Sequence, residues 1–371
     1  MPAFSFYDAH EPPFSLHGLV PEPGYARVPR TLLPALRPPV QRLALETAGG
    51  RVRFATDATT IVVRIRLSDR AIKTHMTPLN MAGAELYAGA GPRMRRVTPL
   101  RPRAIGEVPF EKLDGYTLDQ TIEQTVNLSG ERQTYTLYLP TFTGVESVEI
   151  GFPEGAEPSP AAPYALAKPI VFYGSSITQG ACACRPSLSY PARVCARLDA
   201  DYLNLGFAGN ALGDIELARY IAGLNMSAFV LDYDHNAPTA EHLQRTHRAF
   251  FETVRQAWPE LPILLVTRPE TGRNPEETDA NFAVIRATYE SALRAGDRHV
   301  ALLDGRDFYP PDAREDCLTD LIHPNDEGFS HIAAHVLPAL RALLAPDEAG
   351  GRFPQESGLP PRRTRATAFT L

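Results

Sequence analysis

The chain has 371 residues, 44% of them apolar, and a net charge of −6, which suits about two ordinary globular domains. It shows neither the basic stripe that nucleic acid needs nor an apolar run near the roughly 18 residues of a membrane span, so both are set aside as partners. Residues 1–14 lack a basic start followed by an apolar stretch, so no secretory leader is read there and a cytoplasmic location is expected.

Residues 1–40 are punctuated by proline, which disfavours helices and central strands. Runs of period two follow. Val63, Ile65 and Leu67 alternate with Arg64 and Arg66; Tyr135, Leu137 and Leu139 with Thr134, Thr136 and Tyr138; Val148, Ile150 and Phe152 with Ser147 and Glu149. Such alternation puts one sheet face in a core and the other toward water. No amphipathic helix is read between them, so residues 1–155 are expected to form an antiparallel, jelly-roll-like β-sandwich. Glu85, Leu86 and Tyr87 within it either meet a cleft edge or simply pack.

Residues 154–163, rich in Pro, Ala, Glu and Gly, read as a linker. Beyond it, short apolar runs at 169–173, 202–206, 228–232, 262–267 and 300–304 alternate with helical stretches at 190–198, 214–221, 239–257, 279–294 and 326–344. That rhythm predicts a second, α/β domain over 164–345, a parallel sheet with helices on both faces. The tail, 346–371, rich in Pro, Arg, Gly and Thr, reads as a surface-draped or disordered extension. The cysteines, Cys182, Cys184, Cys195 and Cys317, lack the second pair or the spaced histidines of a zinc site and are expected to be reduced and packed.

The run at 169–173 stops at Gly174-Ser175-Ser176-Ile177-Thr178. Gly174 permits a sharp turn, and Ser176 then lies beyond a strand end, where open parallel sheets hold ligands. A serine hydroxyl needs a base. Asp320-Leu321-Ile322-His323-Pro324 offers one: Asp320 can fix the His323 tautomer, leaving the other ring nitrogen as base, although a helix-capping Asp320 beside a surface His323 fits the same residues. Gly209 follows the second strand and can present a backbone N–H to an oxyanion, or serve only its turn. Asn236, after the third, can present its amide, or cap the next helix. Arg268, after the fourth, either reaches a substrate hydroxyl or carboxylate or forms a structural ion pair. His235 either lines the pocket or is buried on backbone. Asp232 and Asp234 alone are too few oxygen ligands for a metal, and neither metal nor cofactor is expected.

The set Ser176, Gly209, Asn236 and His323, in this order after successive strands, resembles the SGNH hydrolases, also called the GDSL esterase/lipase family. The resemblance covers roughly residues 168–345. It implies a three-layer, flavodoxin-like α/β domain, with Ser176, His323 and Asp320 as triad and Ser176, Gly209 and Asn236 as oxyanion hole. Two blocks depart from the family pattern. Ser175 replaces the usual aspartate before the nucleophile, and Asp234-His235-Asn236-Ala237 replaces Gly-x-Asn-Asp. An N-terminal sandwich is similar to a subset of bacterial SGNH esterases, several acting on carbohydrate acetyl esters. The resemblance therefore implies a small-molecule or oligosaccharide ester as substrate. A lipase or thioesterase and a non-catalytic carbohydrate binder are the alternatives, and a sandwich that dimerises the enzyme into a homo-oligomer is a third reading of that domain.

Overall fold

The computed structural model describes residues 3–69, 73–102, 104–105, 117–269 and 271–345; the tail expected from 346 onward lies outside the described residues. The first half contains β1 (Phe4–Asp8), β2 (Ser15–His17), α1 (Pro38–Leu43), β3 (Arg51–Thr56), β4 (Thr60–Leu67), α2 (Pro78–Ala82), β5 (Ala84–Ala88), β6 (Arg95–Leu100), β7 (Ala104–Ile105), β8 (Thr117–Leu118), β9 (Thr121–Asn127), β10 (Gln133–Tyr138) and β11 (Val145–Pro153). One antiparallel sheet has the order β1-β11-β4-β9, the other β2-β3-β10-β5-β6, and β7 pairs with β8. Val63, Ile65 and Leu67 join Val148, Ile150 and Phe152 in the core between the two larger sheets. Arg64 and Arg66 lie outside, paired with Glu123 and Glu146.

The second sheet departs from the expected water-facing alternation. Thr134, Thr136 and Tyr138 on β10 are buried as well as Tyr135 and Leu137, because that outer face is covered by the second domain. Tyr138 packs with Ile170, Phe172 and Tyr202. Arg51 crosses the same boundary, fully buried, with Nη2 donating to Asp201 Oδ1 at 2.5 Å and its guanidinium 3.7 Å from the centre of the Tyr202 ring. The expected linker is also tied down: Ser159 bridges Ala55 of β3, and the Ala162 N–H donates to Thr134 Oγ1 at 3.1 Å.

The second half contains β12 (Leu166–Gly174), α3 (Ser176–Gln179), α4 (Tyr190–Leu198), β13 (Ala200–Gly206), α5 (Ile215–Ala222), β14 (Ala228–Asp232), α6 (Ala240–Ala257), β15 (Ile263–Val266), α7 (Pro275–Arg294), β16 (Val300–Leu303) and α8 (Asp326–Leu344). Its five strands are parallel in the order β13-β12-β14-β15-β16. Leu217, Leu243, Phe250 and Ile285 of α5, α6 and α7 cover one face; Val194, Phe329, Ile332 and Val336 of α4 and α8 cover the other. Successive connections leave β12 in opposite directions, which opens a crevice beyond the carboxyl ends of β12 and β14. Helix α7 begins at Pro275, earlier than expected, because proline fits a first helical turn and Glu276 and Glu277 suit its positive end.

Val28, Leu36, Val40, Leu43 and Ala44, contiguous in sequence with the sandwich, pack instead in the core of the second domain. This strap is held by Arg27, whose guanidinium donates to the carbonyls of Leu43, Glu46, Asn204 and Gly206. Removing one partner of a buried ion pair strands the other. Arg51→Ala is expected to lower stability by about 3 kcal/mol, toward the low end because His17 Nδ1 still lies 2.8 Å from Asp201 Oδ2; urea unfolding monitored by fluorescence checks it.

Candidate active site

β12 ends where no side chain fits. A Cβ on Gly174 would lie 2.0 Å from Thr178 Oγ1 and 2.1 Å from Asp232 O. The chain there is bonded to the end of β14 by the Ser175 N–H, which donates to Asp232 O at 3.2 Å. Ser175 is buried, and its Oγ accepts from the Ile177 N–H at 3.1 Å, capping α3. The neighbouring Ser176 Oγ lies 3.0 Å from His323 Nε2.

His323 is held from behind. Asp320 Oδ2 lies 2.8 Å from its Nδ1, and Asp320 Oδ1 accepts the backbone N–H groups of Ile322 and His323, each at 2.7 Å. Burial pushes the Asp320 carboxyl up, but those hydrogen bonds outweigh it and hold the group below the ordinary aspartate range. An ionised Asp320 favours the proton on Nδ1 and leaves the Nε2 lone pair toward Ser176. The helix-capping role open in the sequence falls to Asn325, which accepts from Glu327 and Gly328 N–H groups at the start of α8.

Gly209 and Asn236 border the same cavity, of about 580 Å³, as Ser176 and His323. Gly209 has φ of +68°, and a Cβ there would project into open space, so backbone conformation rather than crowding calls for glycine. Asn236 Oδ1 accepts the Ala211 N–H at 3.3 Å, which leaves its Nδ2 free to donate. Thr239, not Asn236, caps α6, its side chain accepting from the His242 N–H. His235 and Arg268 also line the cavity. His235 is not bonded to backbone through Nδ1, which is buried without a partner, and burial, then Arg268, pushes the ring down to about 3, so it is neutral near pH 7. Arg268 makes an ion pair to Glu277 at 3.2 Å while bordering the cavity.

Sequence reasoning missed the opposite wall. Arg42, Lys73, His75, Met76 and Phe142 come from the first half of the chain, and the His75 ring stacks on His323 with centroids 5.6 Å apart. No local motif marks these residues. Glu85 and Tyr87 lie elsewhere, on the boundary between the domains: Glu85 pairs with Arg185 at 2.8 Å and Tyr87 OH is 2.8 Å from Ser187 Oγ. The cysteines are all free, but Cys184 is exposed rather than packed.

Residues 167–341 match the GDSL-like Lipase/Acylhydrolase family, and residues 4–157 match the N-terminus of Esterase_SGNH_hydro-type. Fold and matched segments define a protein of the SGNH hydrolase class. The chain belongs to the SGNH (GDSL) family, in the subset that carries this N-terminal β-sandwich domain. Among solved structures it is similar to a GDSL-like lipase candidate from Bacteroides ovatus, with 26% identity, TM-score 0.80 and coverage of 92% of this chain and 98% of that one. It shares its fold with a salicylyl-acyltransferase from a tetracycline biosynthetic pathway (18% identity, TM-score 0.75, 92% and 97% covered). It also shares it with a family two carbohydrate esterase from Clostridium thermocellum in complex with cellohexaose (16%, 0.55, 80% and 93%). Among curated proteins, none matches the sequence. Among the described residues, no helix is long and apolar enough to cross a membrane.

Beneath the serine turn, Asp232 Oδ2 accepts from Thr178 Oγ1 at 2.9 Å and Tyr190 OH at 2.8 Å. Burial, then the neighbouring Asp234, pushes the Asp232 carboxyl from 3.8 up to about 8. An acid whose pKa rises on folding binds its proton more tightly when folded, so stability falls as pH rises from the unfolded value toward the folded one. Asp234, pushed up to about 6, and His235 and His247, pushed down to about 3, have native-state values below the upper part of that range. Between about pH 6.5 and about 8 the melting temperature of Asp232→Asn is therefore expected to fall less steeply than that of the unaltered protein; parallel thermal melts across that window check it.

Proposed function

We propose that this protein is a serine esterase that removes O-acetyl groups from a carbohydrate. The observation that carries the reading is the 3.0 Å approach of Ser176 Oγ to His323 Nε2, with Asp320 behind the ring and Gly209 and Asn236 around the same cavity. In this reading His323 takes the Ser176 proton as Oγ attacks the ester carbonyl, and Asp320 stabilises the imidazolium that results. The N–H groups of Ser176 and Gly209 and the Asn236 amide receive the oxyanion. His323 then protonates the departing alcohol, and water, activated by the same ring, releases acetate from the acyl-enzyme.

The cavity wall supports a polar substrate. His235, Asn236, Arg268, Arg273, Asn274 and Glu277 offer donors and acceptors for sugar hydroxyls. A long acyl chain needs a continuous apolar wall, which these residues interrupt, and this disfavours a lipase. We assign the chemistry to the α/β domain and read the strap and the segment around Lys73 as the wall that meets substrate.

Acetate release from a panel of acetylated oligosaccharides tests the reading. Ser176→Ala is expected to lower turnover by at least about 10³-fold with the fold intact by circular dichroism. Wild-type turnover in that variant, or sugar binding by the unaltered protein without any acetate release, would overturn it. Asn236→Ala is expected to lower kcat by about 10²–10³-fold, read from the same assay.

A further inference from the structure

Among the described residues, four side-chain cations border the cavity, Arg42, Lys73, Arg268 and Arg273, against one carboxylate, Glu277. The chain as a whole has the opposite balance, 43 acidic residues to 37 basic. Glu46, Asp234 and Asp320 do not border the cavity. Buried Glu46 takes Arg42 at 3.2 Å, Lys73 at 3.7 Å and Gln179 at 2.5 Å. Asp320 is engaged with His323, and Asp234 Oδ2 accepts the Arg268 N–H.

Arg268 sharpens the point. It is 8% exposed, and only Nη1 has a side-chain partner, Glu277; Nε and Nη2 are buried without an acceptor. Buried donors in folded proteins are almost always satisfied, by water or a ligand where not by protein. The guanidinium fork matches the paired oxygens of a carboxylate, sulfate or phosphate. Arg273, a few residues on, is exposed and has no carboxylate in ion-pair range among the described residues. A cleft lined by one sign of charge draws in the other.

Resting on the acetylesterase reading, we infer that the substrate's alcohol carries a negative charge: the site takes O-acetylated sugar acids, their anionic group held by Arg268 and Arg273 with Arg42 and Lys73 facing the same space. The charge must be on the alcohol. The acetyl carbonyl has to sit at Ser176 Oγ, and the methyl beyond it bears no ionic group. A cavity of about 580 Å³ holds far more than an acetyl group, so the sugar fills the remainder, where the cations are.

The test uses the full chain and O-acetylated glucuronate beside its neutral methyl ester, which carry the same acetyl groups and differ in the charge of the carboxyl group and by one methyl. Acetate release is expected to be at least about tenfold faster in kcat/KM for the acid at low salt, with the advantage shrinking toward about 0.3 M salt. Arg268→Gln, Arg273→Gln and Lys73→Gln are each expected to lower the acid-to-neutral ratio, mainly through KM. Arg273 and Lys73 are more exposed than Arg268, so their variants decide the matter where Arg268→Gln fails to fold. Acetylated glucose 6-sulfate and 6-phosphate as further arms identify which anion is preferred. Equal or better kcat/KM on the neutral ester, or a ratio unmoved in both Arg273→Gln and Lys73→Gln, would overturn the inference while leaving the esterase intact. Should neither compound release acetate, the oligosaccharide panel decides the esterase reading; titration calorimetry with glucuronate and its methyl ester then decides the charge preference, and equal affinity overturns it.

Discussion

The site depends on a contact that exists because an atom is missing. At Gly174 the end of β12 is pressed against Thr178 and the end of β14 so closely that a β-carbon would lie within 2.1 Å of both Thr178 Oγ1 and Asp232 O. That pinch turns the chain at once, engages Ser175 as the cap of α3, and brings Ser176 to the crevice. It also buries Asp232 directly below, where Thr178 and Tyr190 donate to one of its oxygens and burial favours a neutral carboxyl near pH 7. A bulkier residue at 174 would move both the serine and the network that supports it.

A second constraint keeps the walls of the cleft at a fixed separation. The buried Arg27 guanidinium gathers carbonyls from the strap and from β13, and burial pulls its pKa down only to about 10, which leaves it charged near neutrality. Arg51 does similar work at the boundary between the sandwich and the parallel sheet. The outer face of β10 is buried by the same contact. A sandwich joined through buried cations and a covered sheet face is poorly suited to swing freely. Arg42, Lys73 and His75 therefore reach the cavity as fixed parts of it.

Much of this was legible in the chain. Helices α4 and α8 and strand β14 fall where the apolar rhythm puts them, and Asn325 caps α8 where the rhythm begins. The Gly174 to Thr178 turn and the Asp320 to His323 pair were readable because each is a local arrangement. What was not legible is non-local. The alternation in β10 looks like a sheet with a wet face, and only the packing of Tyr138 on Phe172 and Tyr202 shows otherwise. Residues 28–44 contain no periodicity that says which core they join. Arg42, Lys73 and His75 are ordinary polar residues in sequence and become part of a site only when the strap and the neighbouring segment fold over Ser176.

This division of labour follows from how each part can be built. In the proposed reading a nucleophile, a base and oxyanion donors must be held to within fractions of an ångström; the end of β12 and the loops after β13 and β14 hold Ser176, Gly209 and Asn236, and Asp320 holds His323. Substrate choice tolerates looser placement, because charge acts over several ångströms and a long cationic side chain can adjust. Arg268 belongs to both parts: its backbone N–H is anchored on Asp234, while its guanidinium borders the cavity. It is the one cation in the wall whose backbone is bonded to the polar layer under the serine turn, and so the one whose loss is expected to disturb both selection and the support of the site.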